Sequence, residues 1–288
     1  MIYGDRSCGI LVTGATGKQG AFHIPLMNAY AHRVGGQGVT AGVTPGKQGQ
    51  KVDGIPVYDS AKDALRAHDI QAGVIFVPSG GAADSVMELA DAGLPLIITI
   101  TEHIPVHDTL NALAYARIRG STVIGPNCPG LLSPGEIKLG IIPDHLASRG
   151  RVGVVSRSGT LTYEVVHELT RAGIGQSTIV GIGGDPVIGQ TFVDVLARFE
   201  EDPLTDVVVM IGEVGGSLEE EGAISTELPL VAYIAGITAP PEKRMGHAGA
   251  IVEGGSGDAR SKIENLRAMG IPVASRPSEI PDLIRGLL

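Results

Sequence analysis

The stretch ILVTGATGKQGAFH, residues 10–23, decides the first half of the fold. A run of β-formers enters, Gly14 and Gly17 turn the chain, and Gly20 begins a helix. A strand, a glycine loop and a helix in that order aim backbone N–H groups and a positive helix end at an anion. That arrangement serves any pyrophosphate, so the ligand has to be read from the flanks. A site for NAD usually places an Asp or Glu about 20 residues further on, for the ribose hydroxyls. Between Asp5 and Asp53 there is no acidic residue; Lys18, Arg33, Lys47 and Lys51 stand there instead. The second strand runs into TPGK (44–47), a cation where NAD would want a carboxylate. The local field therefore favours a ligand with extra phosphate, such as NADP or coenzyme A. Tyr58 and Lys62 have the Tyr-x-x-x-Lys spacing of a short-chain reductase, but they come too early in the chain and read as coincidence. No G-x-x-x-x-G-K-[ST] is present, so the chain has no P-loop of its own.

Composition narrows the class. The chain has 288 residues, enough for two domains, with 43% hydrophobic and 18% charged residues. Its 42 glycines are spread along the chain and read as many tight loops. With no Trp and 3% aromatics, stacking on nucleic-acid bases is poorly supported. A net charge of −9 argues against non-specific binding to nucleic acid or anionic membranes. The apolar run LPLIITI (94–100) is far short of the ~20 residues that span a bilayer. Two cysteines, Cys8 and Cys128, have no CxxC spacing and make no disulfide framework. The glycine loop begins close to Met1, so a cytoplasmic protein is expected, or a mitochondrial matrix protein already trimmed.

Short apolar runs alternate with helical segments. GILVTG (9–14), VTAGV (39–43), GVIFVP (73–78), LIITIT (96–101) and TVIGPN (122–127) read as buried parallel strands. The rhythm breaks over 128–150, rich in Pro and Gly, then resumes with RVGVVS (151–156), STIVGIG (177–183), DVVVMIG (206–212), LPLVAYIAG (228–236) and IPVAS (271–275). The expected class is α/β: a Rossmann-like domain over 1–127 and a flavodoxin-like parallel-sheet domain over 128–288.

Three stretches of the second half carry chemistry together. KRMGHAGAIVEGG (243–255) sets His247 among small residues, where it can be approached closely. SRSGTLTYEVVHEL (156–169) is a second strand, turn and helix start, with Ser158, Gly159 and Thr160 as donors for an anion. IGEVGG (211–216) ends a strand on Glu213. A neutral imidazole is nucleophilic near pH 7, and a carboxylate on its other ring nitrogen fixes the tautomer and supports positive charge during attack. The helix dipole adds about 0.3–1 kcal/mol for an arriving phosphoryl group. This is the outline of a phosphohistidine site.

With these residues in place, the chain resembles the α subunits of succinyl-CoA synthetases (succinate–CoA ligases). TGKQG (16–20), GVTPGK (42–47), ITE (100–102), GPNCPG (125–130), VGVVSRSGTLTYE (152–164), VGIGGDP (180–186), MIGEVGG (210–216) and KRMGHAGAI (243–251) follow the family's order over nearly the whole chain. The resemblance implies a CoA-binding first domain, with Thr16, Gly17, Lys18 and Gln19 on CoA, Lys47 on a CoA phosphate, and Ile100, Thr101 and Glu102 lining that site. It implies a ligase domain in which His247 is phosphorylated, Glu213 lies beside it, Ser158 and Gly159 hold the phosphate, and Tyr163 lies near the organic acid. Cys128 falls near the expected CoA thiol, or is a small residue in a tight turn. The implied partner is a β subunit whose ATP-grasp domain binds Mg-ATP or Mg-GTP, in an αβ or α2β2 assembly. The implied reaction is reversible and belongs to the tricarboxylic acid cycle. A nucleoside triphosphate phosphorylates His247, the phosphoryl group passes to succinate, and CoA displaces phosphate.

Two stretches depart from the family pattern. VGGQGVTAGVTPGK (34–47) reads as a lengthened loop beside Lys47, and GAISTELPLV (222–231) is short. Three readings stay beside the leading one: a sister ligase for malate or citrate, an NADP-binding reductase, and a catalytically silent CoA-binding regulator.

Overall fold

The structure, a computed structural model, describes residues 2–238, 249 and 257–288. The chain divides into two compact units, one of Tyr3–Ile142 with Val187–Gly189, the other of Met1–Ile2, Pro143–Pro186 and Gln190–Leu288. Among the described residues no helix is long and apolar enough to cross a membrane.

The first unit opens with β1 (Gly9–Thr13), α1 (Lys18–Val34) and β2 (Gly38–Val43). Then follow β3 (Lys51–Val52), β4 (Ile55–Tyr58), α2 (Ala61–Ala67), β5 (Ala72–Ile75), α3 (Ser79–Asp91), β6 (Leu96–Thr99), α4 (Val106–Ile118) and β7 (Thr122–Ile124). The strands lie in the order β3-β4-β2-β1-β5-β6-β7. All pairs are parallel except β3 with β4. Without β3, this is the doubly wound order of a Rossmann-type sheet, reversing between β1 and β5. Leu11, Val43, Ile75, Val86, Leu89 and Ile97 build the core between sheet and helices.

Ahead of the TPGK turn, the region 34–47 is not a loop. α1 ends at Val34, Gly35 closes it in the left-handed conformation, and β2 begins at Gly38. Ile10 pairs with Val39 but Leu11 with Ala41, so Thr40 is an extra residue accommodated in the strand, away from the TPGK turn.

Residues 128–142, assigned by sequence to the second domain, group here with the first unit. They form a hairpin of β8 (Gly130–Ser133) and β9 (Ile137–Gly140). Side chains tie it down. The Tyr30 hydroxyl on α1 donates to the Ser133 carbonyl at 3.0 Å and accepts from Gly135 N–H at 2.8 Å. Arg6 forks onto the Glu136 carboxylate with two 3.0 Å bonds.

The second unit holds β10 (Arg149–Ser156), α5 (Gly159–Arg171), β11 (Gln176–Gly181), α6 (Phe192–Glu200) and β12 (Val207–Glu213). It continues with α7 (Leu218–Ile224), β13 (Leu230–Ala235), α8 (Ala259–Ala268), β14 (Val273–Ala274) and α9 (Ile280–Arg285). Its strands run β14-β13-β12-β10-β11, all parallel. Counted within the unit that is the flavodoxin-like order, and the winding reverses between β10 and β12. The central strands β11 and β12 are buried along their length, because helices cover both faces. Phe192, Leu196 and Phe199 of α6 are fully buried on one face. Thr191 and Asp194 start that helix with a reciprocal capping box. The short 222–231 stretch is the end of a seven-residue α7 and a tight connection into β13.

Candidate functional site

In open α/β sheets ligands bind outside the carboxyl ends of the strands where the winding reverses. The glycine loop of the first unit, and Ser158 and Glu213 of the second, lie at such points.

In the first unit the glycine loop leaves β1 beside β5. Gly14 lies at φ +71, where a Cβ would come within 3.0 Å of the Phe76 carbonyl group. At Gly20 a Cβ would fall 2.4 Å from the Gly14 oxygen, so α1 starts against the bare loop backbone. Gly14 and Ala15 N–H donate to the Val43 carbonyl at 2.9 and 3.3 Å, and Thr16 N–H donates to Thr44 Oγ1 at 3.2 Å. The loop is thus tied to the end of β2, from which the TPGK turn departs. Lys47 and Gln48 N–H both donate to Asp59 Oδ1 at 3.0 Å, fixing that turn with the Lys47 side chain exposed. Gly17 caps α1 without a side chain, so the first-turn N–H groups beside Lys18 and Gln19 face outward for an anion. Ile100–Glu102 leave β6 at the same sheet edge. Ile100 N–H reaches the Ile75 carbonyl at 3.3 Å, the Thr101 hydroxyl donates to the Val77 carbonyl at 2.6 Å, and Glu102 is exposed. His23, on α1, stacks on Phe76 with ring centroids 5.3 Å apart. Burial, and then the charge of Lys138, hold its imidazole below the usual histidine pKa.

Cys128 is buried, with Sγ donating to the Thr99 carbonyl at 3.3 Å, which fits the tight-turn reading. Tyr58 bonds His68 at 2.8 Å while Lys62 lies 3.9 Å from Asp91, so the two form no reductase pair.

In the second unit, Ser158 caps α5, its Oγ accepting from Leu161 N–H at 3.4 Å. Ser158 N–H is itself taken by Ser156 Oγ at 3.1 Å. Gly159 and Thr160 therefore present the first-turn N–H groups, and Tyr163, half-buried, follows one turn on. Glu213 ends the adjacent β12 and is 6% exposed. β10 and β12 are hydrogen-bonded neighbours, so the α5 start and Glu213 share one edge. His247 lies outside the described residues. Gly249, two positions later, is described: its N–H donates to the Gly184 carbonyl at 3.2 Å. A Cβ there would come 2.9 Å from Arg157 Nη2.

Arg157, Glu219 and Lys262 escaped the sequence reading. All three are buried beneath this edge. Arg157 Nη1 donates to Glu219 Oε1 and to the Gly215 carbonyl, each at 3.1 Å, and Nη2 lies 3.6 Å from Glu213 Oε1. Lys262 closes the network on Glu219 and the Gly215 carbonyl. Glu219 also accepts from the Glu213 N–H at 3.1 Å. Glu220 Oε2 lies 4.0 Å from Lys262 at the margin of the network, so two cations face three carboxylates, and each buried charge has an opposite partner. Arg157 had a visible signal, a lone cation between Ser156 and Ser158 at a strand–helix junction. Lys262 had none, since ARSKIENLRA reads as a solvated helix.

Residues 5–103 match the model of the CoA binding domain, and residues 155–271 that of CoA-ligase. Succinate–CoA ligase [ADP-forming] subunit alpha 2 of Archaeoglobus fulgidus is 53% identical over 99% of this chain and 98% of its own. The subunit alpha of Methanothermobacter thermautotrophicus is 54% identical over 100% and 97%, and that of Staphylococcus aureus 50% over 97% and 92%. Among solved structures, the ATP citrate lyase of Methanosaeta concilii superposes with a TM-score of 0.88 at 23% identity, covering all of this chain and 50% of that one. That likeness speaks for the fold alone. The chain belongs to the family of α subunits of ADP-forming succinate–CoA ligases. Neither the domain matches nor the named relatives favour the reductase reading.

Proposed function

We propose that this chain is the α subunit of an ADP-forming succinate–CoA ligase, working through a phosphohistidine at His247 and an acyl phosphate. The carrying observation is the convergence at the β10/β12 edge. A Ser158-capped helix start, buried Glu213 and the described residue Gly249 of the His247 loop all meet around Arg157.

The His247 imidazole attacks the terminal phosphoryl group of ATP and ADP leaves. The phosphoryl group passes to a succinate carboxylate, restoring the imidazole and giving succinyl phosphate. The CoA thiolate then attacks the acyl carbon and inorganic phosphate departs. Glu213 supports the positive charge the ring acquires, and the N–H groups of Gly159 and Thr160 receive the phosphoryl oxygens. CoA binds the first unit, its phosphates on the N–H groups of Lys18 and Gln19, past the bare Gly17 whose own N–H is held by the Gly14 carbonyl at 3.0 Å, with the Thr16 hydroxyl and the Lys47 ammonium, and Ile100–Glu102 alongside. The nucleotide, with its Mg ion, binds an ATP-grasp domain on a β subunit, and the assembly works in the cytoplasm.

The test is phosphorylation of the chain co-purified with its β partner, using γ-labelled ATP. A base-stable, acid-labile phosphate that appears on the wild type, is absent in His247→Asn and is discharged by succinate with CoA is expected. Full turnover in His247→Asn overturns the assignment, and discharge by malate or citrate rather than succinate moves it to a sister ligase.

A further inference from the structure

Arg157 is buried at the floor of the edge just described, and its contacts exceed what a structural ion pair needs. One nitrogen, Nη1, is committed to Glu219 and the Gly215 carbonyl, both at 3.1 Å. The other terminal nitrogen, Nη2, lies 3.6 Å from Glu213 Oε1 and is the nearest atom to the missing Cβ of Gly249, at 2.9 Å. Nε is buried with no hydrogen-bond partner among the described residues. The guanidinium is held from behind by Glu219, which Lys262 neutralises, so its forward face is aimed rather than free to rotate.

We propose that Arg157 is a positioning residue for the phosphohistidine chemistry: it fixes the Glu213 carboxylate on the side of the guanidinium that Gly249, two positions after His247, also approaches, with Glu219 and Lys262 as its anchor. A planar fork does what a lysine cannot here, since one nitrogen holds the anchor while the other faces the carboxylate. The Glu213 backbone N–H is bonded to the same Glu219, so the anchor sets main chain and side chain of residue 213 together. The role rests on the ligase reading for its chemistry but not for its geometry.

The test uses the α chain with its β partner and a variant that removes one buried charge of each sign, Arg157→Gln with Glu219→Gln, leaving Lys262 beside Glu220 and Glu213 in place. Groups that orient a reacting residue typically contribute about 10–100-fold to activity. Phosphoenzyme formation in the double variant is therefore expected to slow by about that factor at an unchanged KM for ATP. Glu213→Gln added to it should slow it no further, because the two act through one carboxylate. Arg157→Lys should restore only part of the rate. Rates within twofold of wild type, or an undiminished effect of Glu213→Gln, overturn the proposal. A crystal structure of the double variant gives a readout independent of turnover: a displaced Glu213 carboxylate is expected, and an unmoved one refutes the positioning role. If wild type takes no phosphate, the ligase reading fails while that structure still decides what Arg157 does.

Discussion

Lys262→Met removes one cation from a network that has two, leaving Glu213 and Glu219 to share Arg157 and taking from Glu220 Oε2 the ammonium 4.0 Å away. Lys262 and Glu219 are 1% and 0% exposed, so water cannot take over the lost role without the unit opening. Breaking a buried ion pair from one side costs about 3–5 kcal/mol. Glu219 keeps two donors at 3.1 Å, Arg157 Nη1 and the Glu213 N–H, which places the expected loss near the lower bound, about 3 kcal/mol. At about 2–4 °C per kcal/mol for a unit of this size, the transition should fall by roughly 6–12 °C. Lys262→Met with Glu219→Gln restores the balance, and neutral groups of similar volume often replace a buried pair without penalty, so the double variant should recover to within about 1 kcal/mol of wild type. Calorimetry and urea unfolding at pH 7 measure both, and because the charges are buried the difference should persist at high salt. A single variant as stable as wild type, or a double variant no better than the single, refutes the reasoning.

His23 is held below its ordinary pKa, so the unfolded chain binds its proton first, and stability should decline as pH drops below the unfolded value of about 6.5. His23→Gln should flatten the melting temperature between pH 7 and 5; an unchanged slope goes against the buried neutral imidazole. Asp258 caps α8, accepting from the Arg260 and Ser261 N–H groups at 2.9 and 3.1 Å, and Asp258→Ala should cost about 1 kcal/mol in urea unfolding. Hydrogen bonds from Ser261 lower its carboxyl pKa, so the contribution is complete above the unfolded value of about 3.9 and fades as pH falls through the folded one. Gly20→Ala would put a Cβ 2.4 Å from the Gly14 oxygen and 2.9 Å from the Ala15 Cα, displacing the glycine loop at about 1–3 kcal/mol. CoA affinity measured by titration calorimetry should fall at least about tenfold, an effect of ~1.4 kcal/mol; wild-type affinity would count against this loop as the CoA site.

The parallel strands were legible because burial on both faces leaves an apolar run in the sequence, as in VVVMIG and LIIT. Their order was legible only as a class, since no residue announces that β5 lies beside β1. The β8–β9 hairpin was missed for a physical reason. Its strands are four residues each, and β9 buries Lys138, so GLLSPGEIKLG reads as a linker rather than as paired strands. The 34–47 stretch misled in the opposite sense: Gly35, Gly36 and Gly38 look like a loop, yet two end a helix and the third begins a strand. At the site, residues at strand ends and helix starts could be read from local motifs. Lys262 could not, because its partner Glu219 is 43 positions away and the burial of both is created only by packing α7 against α8.

The two helix starts differ in a way that fits the two tasks proposed for them. Gly17 gives α1 no side-chain cap, and the Thr16 N–H ties the loop before it to Thr44, at the head of the turn that carries Lys47. That is a setting for phosphates that carry no reacting bond and serve to hold the ligand while its far end reacts, as those of CoA do. At α5 the cap is Ser158, Leu161 N–H is satisfied by it, and Ser158 N–H is satisfied by Ser156. Two first-turn N–H groups remain, and the nearby Arg157 has its Nη1 turned to Glu219 and the Gly215 carbonyl within a network of buried ion pairs. A phosphoryl group there meets a helix dipole worth about 0.3–1 kcal/mol but not the full charge of a free guanidinium. A group in transit from ATP to His247 to succinate has to be held weakly enough to leave at each step. A site that stabilised it as firmly as the first unit can hold CoA phosphate would deepen the phosphoenzyme well and slow the transfer it is meant to carry.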